Sequence, residues 1–272
     1  MKYLDLTFPS PEQNLACDEA LLDWRDEQAG DEILRCWEPQ ENFVVLGYAN
    51  KSHREVNLDR CREKNIRVLR RCSGGGAVLQ GPGCLNYSLV LKIPEIKGSI
   101  SETNCFVMSR QKEAVHEVLS THLERETNSK LHWVRPSSSS PEPRLTTHAS
   151  FSSLRASVEV QGITDLTLGG LKFSGNSQRR KREYLLFHGS FLLNFDLELI
   201  EELLPLPSKW PDYRKDRSHT EFLMNLNLPA EPIKEALQKT WKATELCHDW
   251  PAKDVEALAA EKYSKEEWNF RF

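Results

Sequence analysis

"VEVQGITDLTLGGLKFSGNSQRRKREYLLFHGSFLLNF", residues 158–195, is the stretch whose reading decides the fold. Gly162 and the pair Gly169–Gly170 stand where short apolar runs stop. Apolar alternation resumes after each of them and on both sides of the triplet Ser174–Gly175–Asn176. Glycine supplies the backbone freedom that tight turns need, and alternation marks strands with one buried face. The stretch predicts a meander of antiparallel strands, with Ser174–Asn176 read as one of its turns.

Upstream, Ser10 followed by Pro11 predicts a capped helix start. The serine hydroxyl accepts an early N–H, and proline has no N–H to leave unpaired. Leu15, Cys17, Ala20, Leu21 and Trp24 extend it as an apolar stripe. "EILRCWEP" and "NFVVLGY" read as strands, "SHREVNLDRCREKN" as helical, and "IRVLRRCS" and "LNYSLVLKIP" as further strands. Residues 101–127 predict a long amphipathic helix. The Ser/Pro-rich stretch at about 136–156 has no period and reads as a flexible loop. Past "DLELIEELLPLP" the chain reads as helical, including a segment at about 230–272. Helices bracketing mostly antiparallel or mixed strands predict an α+β fold and a single domain over residues 1–272.

A hydrophobic fraction of 39% and a formal charge of -4 describe a soluble protein that is not a general nucleic-acid or membrane-surface binder. Met1–Leu22 lacks a cationic segment followed by an apolar run, and no window reaches roughly 18 uninterrupted apolar residues. A cytoplasmic protein is expected. The seven cysteines are scattered without a C-x-x-C pair, which suits reduced thiols rather than a disulfide framework or a zinc site.

Two constellations carry chemistry. "RRCSGGGAVLQGPGCLNYS", residues 70–88, holds five of the thirteen glycines. Glycines lacking a Cβ let backbone N–H groups approach a phosphate or a thin ligand, or they serve a bulge or hairpin. No Gly-Lys-Ser/Thr follows, and the segment leads into a strand rather than a helix, so it is neither a P-loop nor a dinucleotide fingerprint. Arg70 and Arg71 suit a phosphate or carboxylate. In "GGLKFSGNSQRRKR", Lys172 is placed on a strand, either solvated or able to hold a phosphate or polarise a carbonyl. The basic run Arg179–Arg182 reads as a solvated face, or as a dock for an acidic partner or a nucleotide edge.

Together, "RRCSGGGAVLQGPGCLNYS", "GGLKFSGNSQRR" and "HGSFLLN" resemble the lipoate–protein ligase A family, within the biotin and lipoate protein ligases and octanoyltransferases. "NLACDEALL", "FVVLGY" and "PDYRKDRSHTEFL" extend the resemblance over roughly residues 1–230. It implies ATP-dependent activation of lipoate or octanoate to an acyl-AMP. The acyl group then passes to a lysine of a lipoyl-carrier domain, such as a 2-oxoacid dehydrogenase E2 subunit or a glycine cleavage H-like protein.

Carried over, Lys172 is the catalytic cation. Arg70, Ser73, Gly74, Gly75, Gly76, Ala77 and Gly83 contact the acyl-adenylate, and Gly47 and Tyr48 border the acyl tail. Ser174, Gly175 and Asn176 form a turn beneath the nucleotide. Asp165 holds Mg²⁺, orients Lys172 or simply forms a turn. His188 touches carrier or adenylate, or is structural.

The chain departs from many family members at Gln80–Gly81, where they read His-Asp, and it lacks room for their C-terminal accessory domain. The resemblance therefore also allows for a separate accessory protein. The rival reading is transfer of octanoyl or lipoyl between carriers through a cysteine thioester, without ATP. Cys72 and Cys84 are the cysteines near the glycine motif, and both also read as buried fillers.

Overall fold

The computed structural model describes residues 1–93, 98–131, 157–207 and 209–272, with backbone alone at 123–131. The predicted Ser/Pro loop at 136–156 lies outside the described residues. In chain order the elements begin with β1 (Lys2–Asp5), α1 (Pro11–Glu27), β2 (Ile33–Trp37) and β3 (Phe43–Leu46). Next come α2 (Ser52–Glu55), α3 (Leu58–Glu63), β4 (Arg67–Arg70), β5 (Val78–Gln80), β6 (Cys84–Lys92) and α4 (Ile100–Leu131). The meander is β7 (Val158–Gln161), β8 (Asp165–Leu168), β9 (Leu171–Arg180) and β10 (Tyr184–Leu192). The remainder is α5 (Leu197–Leu203), α6 (His219–Phe222), α7 (Ala230–Trp241), β11 (Glu245–Leu246), α8 (Ala252–Leu258) and α9 (Glu266–Asn269).

The fold is α+β. The large sheet runs β11-β1-β2-β6-β10-β9-β8-β7, and a small one runs β4-β3-β5. From β2 through β7 every neighbour is antiparallel, whereas β1 pairs in parallel with both β2 and β11. Alternate residues of the central strands enter different cores. Leu34, Leu89, Leu185 and Phe187 pack with Val107 and Val115 of α4 and Leu237 of α7. Ile33, Val90, Tyr184 and Leu186 pack against Leu21 and Leu22 of α1. Both faces of the sheet centre are thus covered, which is why all of β2 is buried despite its alternating look.

The N-cap of α1 forms as its chemistry dictates: Gln13 donates its N–H to Ser10 Oγ at 3.2 Å, and Pro11 opens the helix. Gly162, Gly169 and Gly170 take φ of 59°, 59° and 78° at the turns between β7, β8 and β9. The Ser174–Gly175–Asn176 triplet does not turn. It lies inside β9, paired with Phe191, Ser190 and Gly189 of β10, and the chain reverses only between Arg180 and Tyr184. A Cβ at Gly175 would touch the Lys172 ammonium, so glycine there leaves room for close approach rather than making a turn.

Candidate active site

The sheets meet where β4 ends in the glycine loop opposite β9 and β10. A cavity of about 530 Å³ opens there. Gly75, Gly76 and Ala77 line it from the loop, Lys172, Ser174, Gly175 and Asn176 from β9, and Asp165 from β8. Exposed Ile163 and Trp210 contribute to its rim.

Lys172 Nζ lies 2.8 Å from Asp165 Oδ1, and Asp165 Oδ2 accepts the Tyr213 hydroxyl at 2.7 Å. Burial first, then the Asp165 charge, push the Tyr213 phenol up, so it remains a donor that fixes the carboxylate. Asp165 therefore orients Lys172. Among the described residues no group of three or more His, Cys, Asp or Glu side chains could hold a metal ion, and both Asp165 oxygens are engaged, by Lys172 and by Tyr213.

The two adjacent arginines separate. Arg70 is fully buried and does not line the cavity. Its guanidinium donates to the carbonyls of Gly47, Tyr48 and Asn50 on one side, and of Trp268 and Asn269 on the other, at 2.8–3.2 Å. Arg71 does line the cavity. It donates to the carbonyls of Gly74 at 2.6 Å, Gly76 at 2.8 Å and Val45 at 3.3 Å, and to Ser73 Oγ at 3.2 Å. No described carboxylate pairs with it, and burial lowers its pKa to about 10. A buried cation compensated by carbonyl dipoles and one hydroxyl, with no carboxylate among the described residues, favours an incoming anion. Beside it, Gly74, Gly75 and Gly76 are exposed, and no described acceptor takes their N–H groups.

Gly47 and Tyr48 lie behind the loop rather than along the cavity. Tyr48 N–H donates to the Ser73 carbonyl at 2.8 Å, and its ring packs against Trp268 and Phe272. A Cβ at Gly47 would collide with the Gly75 carbonyl oxygen. Gly47→Ala is accordingly expected to lose about 1–3 kcal/mol through overpacking. A urea midpoint equal to that of the wild type would show that the loop has room. Gly83, at φ 93°, is likewise outside the cavity lining and accepts the N–H groups of Leu193 and Asn194.

Other residues reach the site from far away in sequence. Gln80 lines the cavity and donates to Ser190 Oγ at 2.6 Å. A Cβ at Gly81 would strike the Asn42 side-chain oxygen as it stands. Tyr87 donates to Asn176 Oδ1 at 2.5 Å across Gly189, where any Cβ would overlap that oxygen. Asp18 of α1 and His188 of β10 also line the cavity, with Asp18 Oδ2 3.0 Å from His188 Nδ1 and Ser73 Oγ 2.6 Å from Nε2. Asp18 lies in the stretch "NLACDEALL", which carries the family resemblance but assigns it no role, and only the folded sheet brings it to His188.

None of the seven cysteines lines the cavity. Burial pushes the Cys72 and Cys84 thiols up to about 12, which keeps them protonated fillers.

The sequence matches the lipoyl protein ligase A/B catalytic domain over residues 10–124 and 146–248. It is similar to the octanoyltransferase LipM of Lysinibacillus sphaericus, 26% identical with 96% of this chain and 95% of that one aligned. The LipM of Geobacillus kaustophilus is also 26% identical, over 99% and 98% of the two chains. Among solved structures, a lipoate-protein ligase A bound with ATP superposes with a TM-score of 0.66 and 27% identity, over 99% of this chain and 98% of that one. A Thermoplasma acidophilum protein with bound lipoic acid gives 0.67 and 25%, over 100% and 99%. The bi-partite lipoate protein ligase of the same organism, solved with its E2 lipoyl domain, shares the fold at a TM-score of 0.69 and 24% identity, over 99% and 95%.

Proposed function

The chain belongs to the lipoyl protein ligase A/B catalytic-domain family, and we propose that within it this protein moves an octanoyl or lipoyl group from a carrier-bound thioester to the lysine ε-amine of a lipoyl-carrier domain. The observation that carries this reading is the end-to-end similarity to LipM octanoyltransferases, which spans 96–99% of this chain. The cavity suits the chemistry. A thioester carbonyl attacked by an amine builds negative charge on oxygen, and Lys172, held by Asp165, is the cation placed to neutralise it. Exposed glycine N–H groups and Arg71 would hold the polar end of the acyl donor.

ATP-dependent activation of free lipoate or octanoate is the second reading. It is favoured by the lack of any cavity cysteine to carry a thioester and by the resemblance to a ligase bound with ATP. In it, the same glycine N–H groups and Arg71 would face phosphate oxygens.

One measurement separates the two. Purified protein is incubated with a lipoyl domain and either an octanoylated acyl carrier without ATP, or octanoate or lipoate with ATP and Mg²⁺, and the mass of the lipoyl domain is followed. Acylation in the first mixture is expected. Acylation only in the second would replace transfer by ligation, and none in either would remove both. Cys72→Ser and Cys84→Ser are expected to retain transfer within about threefold, as fits thiols without catalytic duty.

A further inference from the structure

A chain of hydrogen bonds runs along the cavity wall: Arg71, His188 and Asp18 line the cavity, Ser73 and Arg35 lie buried behind it, and donors converge on Asp18 from both ends. Arg71 Nε donates to Ser73 Oγ at 3.2 Å, and Ser73 Oγ lies 2.6 Å from His188 Nε2. His188 Nδ1 lies 3.0 Å from Asp18 Oδ2, while Asp18 Oδ1 accepts from Arg35 Nη1 at 2.7 Å. Arg35 is itself clamped by the Asn14 side chain and by the carbonyls of Asn14 and Leu6. Burial alone would raise the Asp18 carboxyl, but the His188 hydrogen bond and the Arg35 charge outweigh it and hold the carboxyl below its usual range. An ionised carboxylate only accepts, so Nδ1 carries a proton, and in the neutral ring Nε2 presents its lone pair to the Ser73 hydroxyl.

This arrangement exceeds what packing needs. A buried Asp–Arg pair could close on itself, yet the second carboxylate oxygen is given to a histidine whose ring borders the same cavity as Lys172. We infer that His188 is the base that receives the proton of the attacking lysine amine, through the Ser73 hydroxyl, with Asp18 and Arg35 as the positioning pair. The inference rests on the proposed function, transfer from a carrier-bound thioester to a protein lysine amine.

A lysine ammonium has an ordinary pKa of about 10.4 and cannot attack while protonated. The acceptor lysine therefore enters as the neutral amine, its first proton released to solvent; as its nitrogen bonds to the acyl carbon, a second proton passes to Ser73 Oγ while the Ser73 proton passes to His188 Nε2. The carbon–sulfur bond then breaks, and His188 returns the proton by the same route to the departing thiolate. One amide and one thiol result, and the enzyme ends as it began. Ser73 is only 1% exposed, which suits a relay rather than the nucleophile itself.

The titratable and charged groups facing the ring are Asp18 from α1, Arg35 behind it on β2, Arg71 from the glycine loop and Lys172 across the cavity. Arg179 of β9 lies nearby, held by the Cys72 carbonyl and Glu19 of α1. The ring's strand partners, Ser88 and Ser177, do not titrate.

The test is single-turnover octanoyl transfer to a lipoyl domain, followed by mass spectrometry from about pH 5.5 to 9, with full-length wild type, His188→Gln, Asp18→Asn and Ser73→Ala. Wild type should gain rate as pH rises across this range. His188→Gln should lose about 10²–10⁴-fold and the rising limb, with the carrier KM little changed and rate partly restored by added imidazole. Asp18→Asn should move the limb, and Ser73→Ala should lower rate without moving it. An unchanged limb in His188→Gln would overturn the assignment, as would an octanoyl ester trapped on Ser73 of wild type. Wild type inert with both donors would remove the proposed function and this inference together. Wild type active with an unchanged limb removes the base alone.

Discussion

Lys172→Ala is expected to lower acyl transfer by about 10²–10³-fold while leaving the thermal midpoint close to that of wild type. The rate falls because the ammonium, held by a carboxylate at the head of β9, lines the cavity where the carbonyl oxygen would gain its charge. The fold survives because the side chain is a quarter exposed, and Asp165 keeps the Tyr213 hydroxyl as partner. Lys172→Arg should recover only part of the rate: a planar guanidinium presents its donors in a fixed fork and does not reproduce a compact ammonium. Single-turnover rates with circular dichroism melts check both statements. Full activity in the alanine variant would remove Lys172 from the mechanism.

Arg70→Ala is expected to destabilise the protein by about 3–5 kcal/mol, because truncation leaves several buried carbonyls without donors. For a chain of this size that corresponds to a thermal midpoint lower by about 6–20 °C. Arg70→Lys should rescue little, since one ammonium cannot reach both the Gly47–Asn50 carbonyls and those of Trp268 and Asn269. The two arginine variants therefore diverge: Arg70→Ala loses stability first, whereas Arg71 acts where a ligand would lie. A differential scanning trace shows this, and an Arg70→Ala midpoint equal to wild type would mean that water satisfies the carbonyls.

The meander, the Ser10 cap and the glycine loop were legible because each is written locally, in alternation, a capping hydroxyl or a positive φ. Lys172 was legible because strand and motif coincide at it. Neighbouring arginines at a strand end look alike in sequence, yet Arg70 points into the body and Arg71 toward the cavity. Only the fold decides between them. Ser174–Gly175–Asn176 misled because glycine before asparagine is a turn signal, while here the missing Cβ makes room for an ammonium. Asp18 and His188 each lie in a stretch that carries the family resemblance, but they stand 170 positions apart, so their pairing is not written in either stretch, and β5, three residues long, is too short to show a period.

The clasp formed by Arg70 also sets an order of events. Its donors bind a loop near residue 50 to Trp268 and Asn269, and its own N–H is accepted by the Asn269 side chain, 199 positions along the chain. A polypeptide grows from its N-terminus. The glycine loop is therefore synthesised early and locked late: until residues 268–269 leave the ribosome, the backbone that supports the cavity lacks its final fastening, and a stalled or truncated nascent chain would display a site that cannot yet hold its shape.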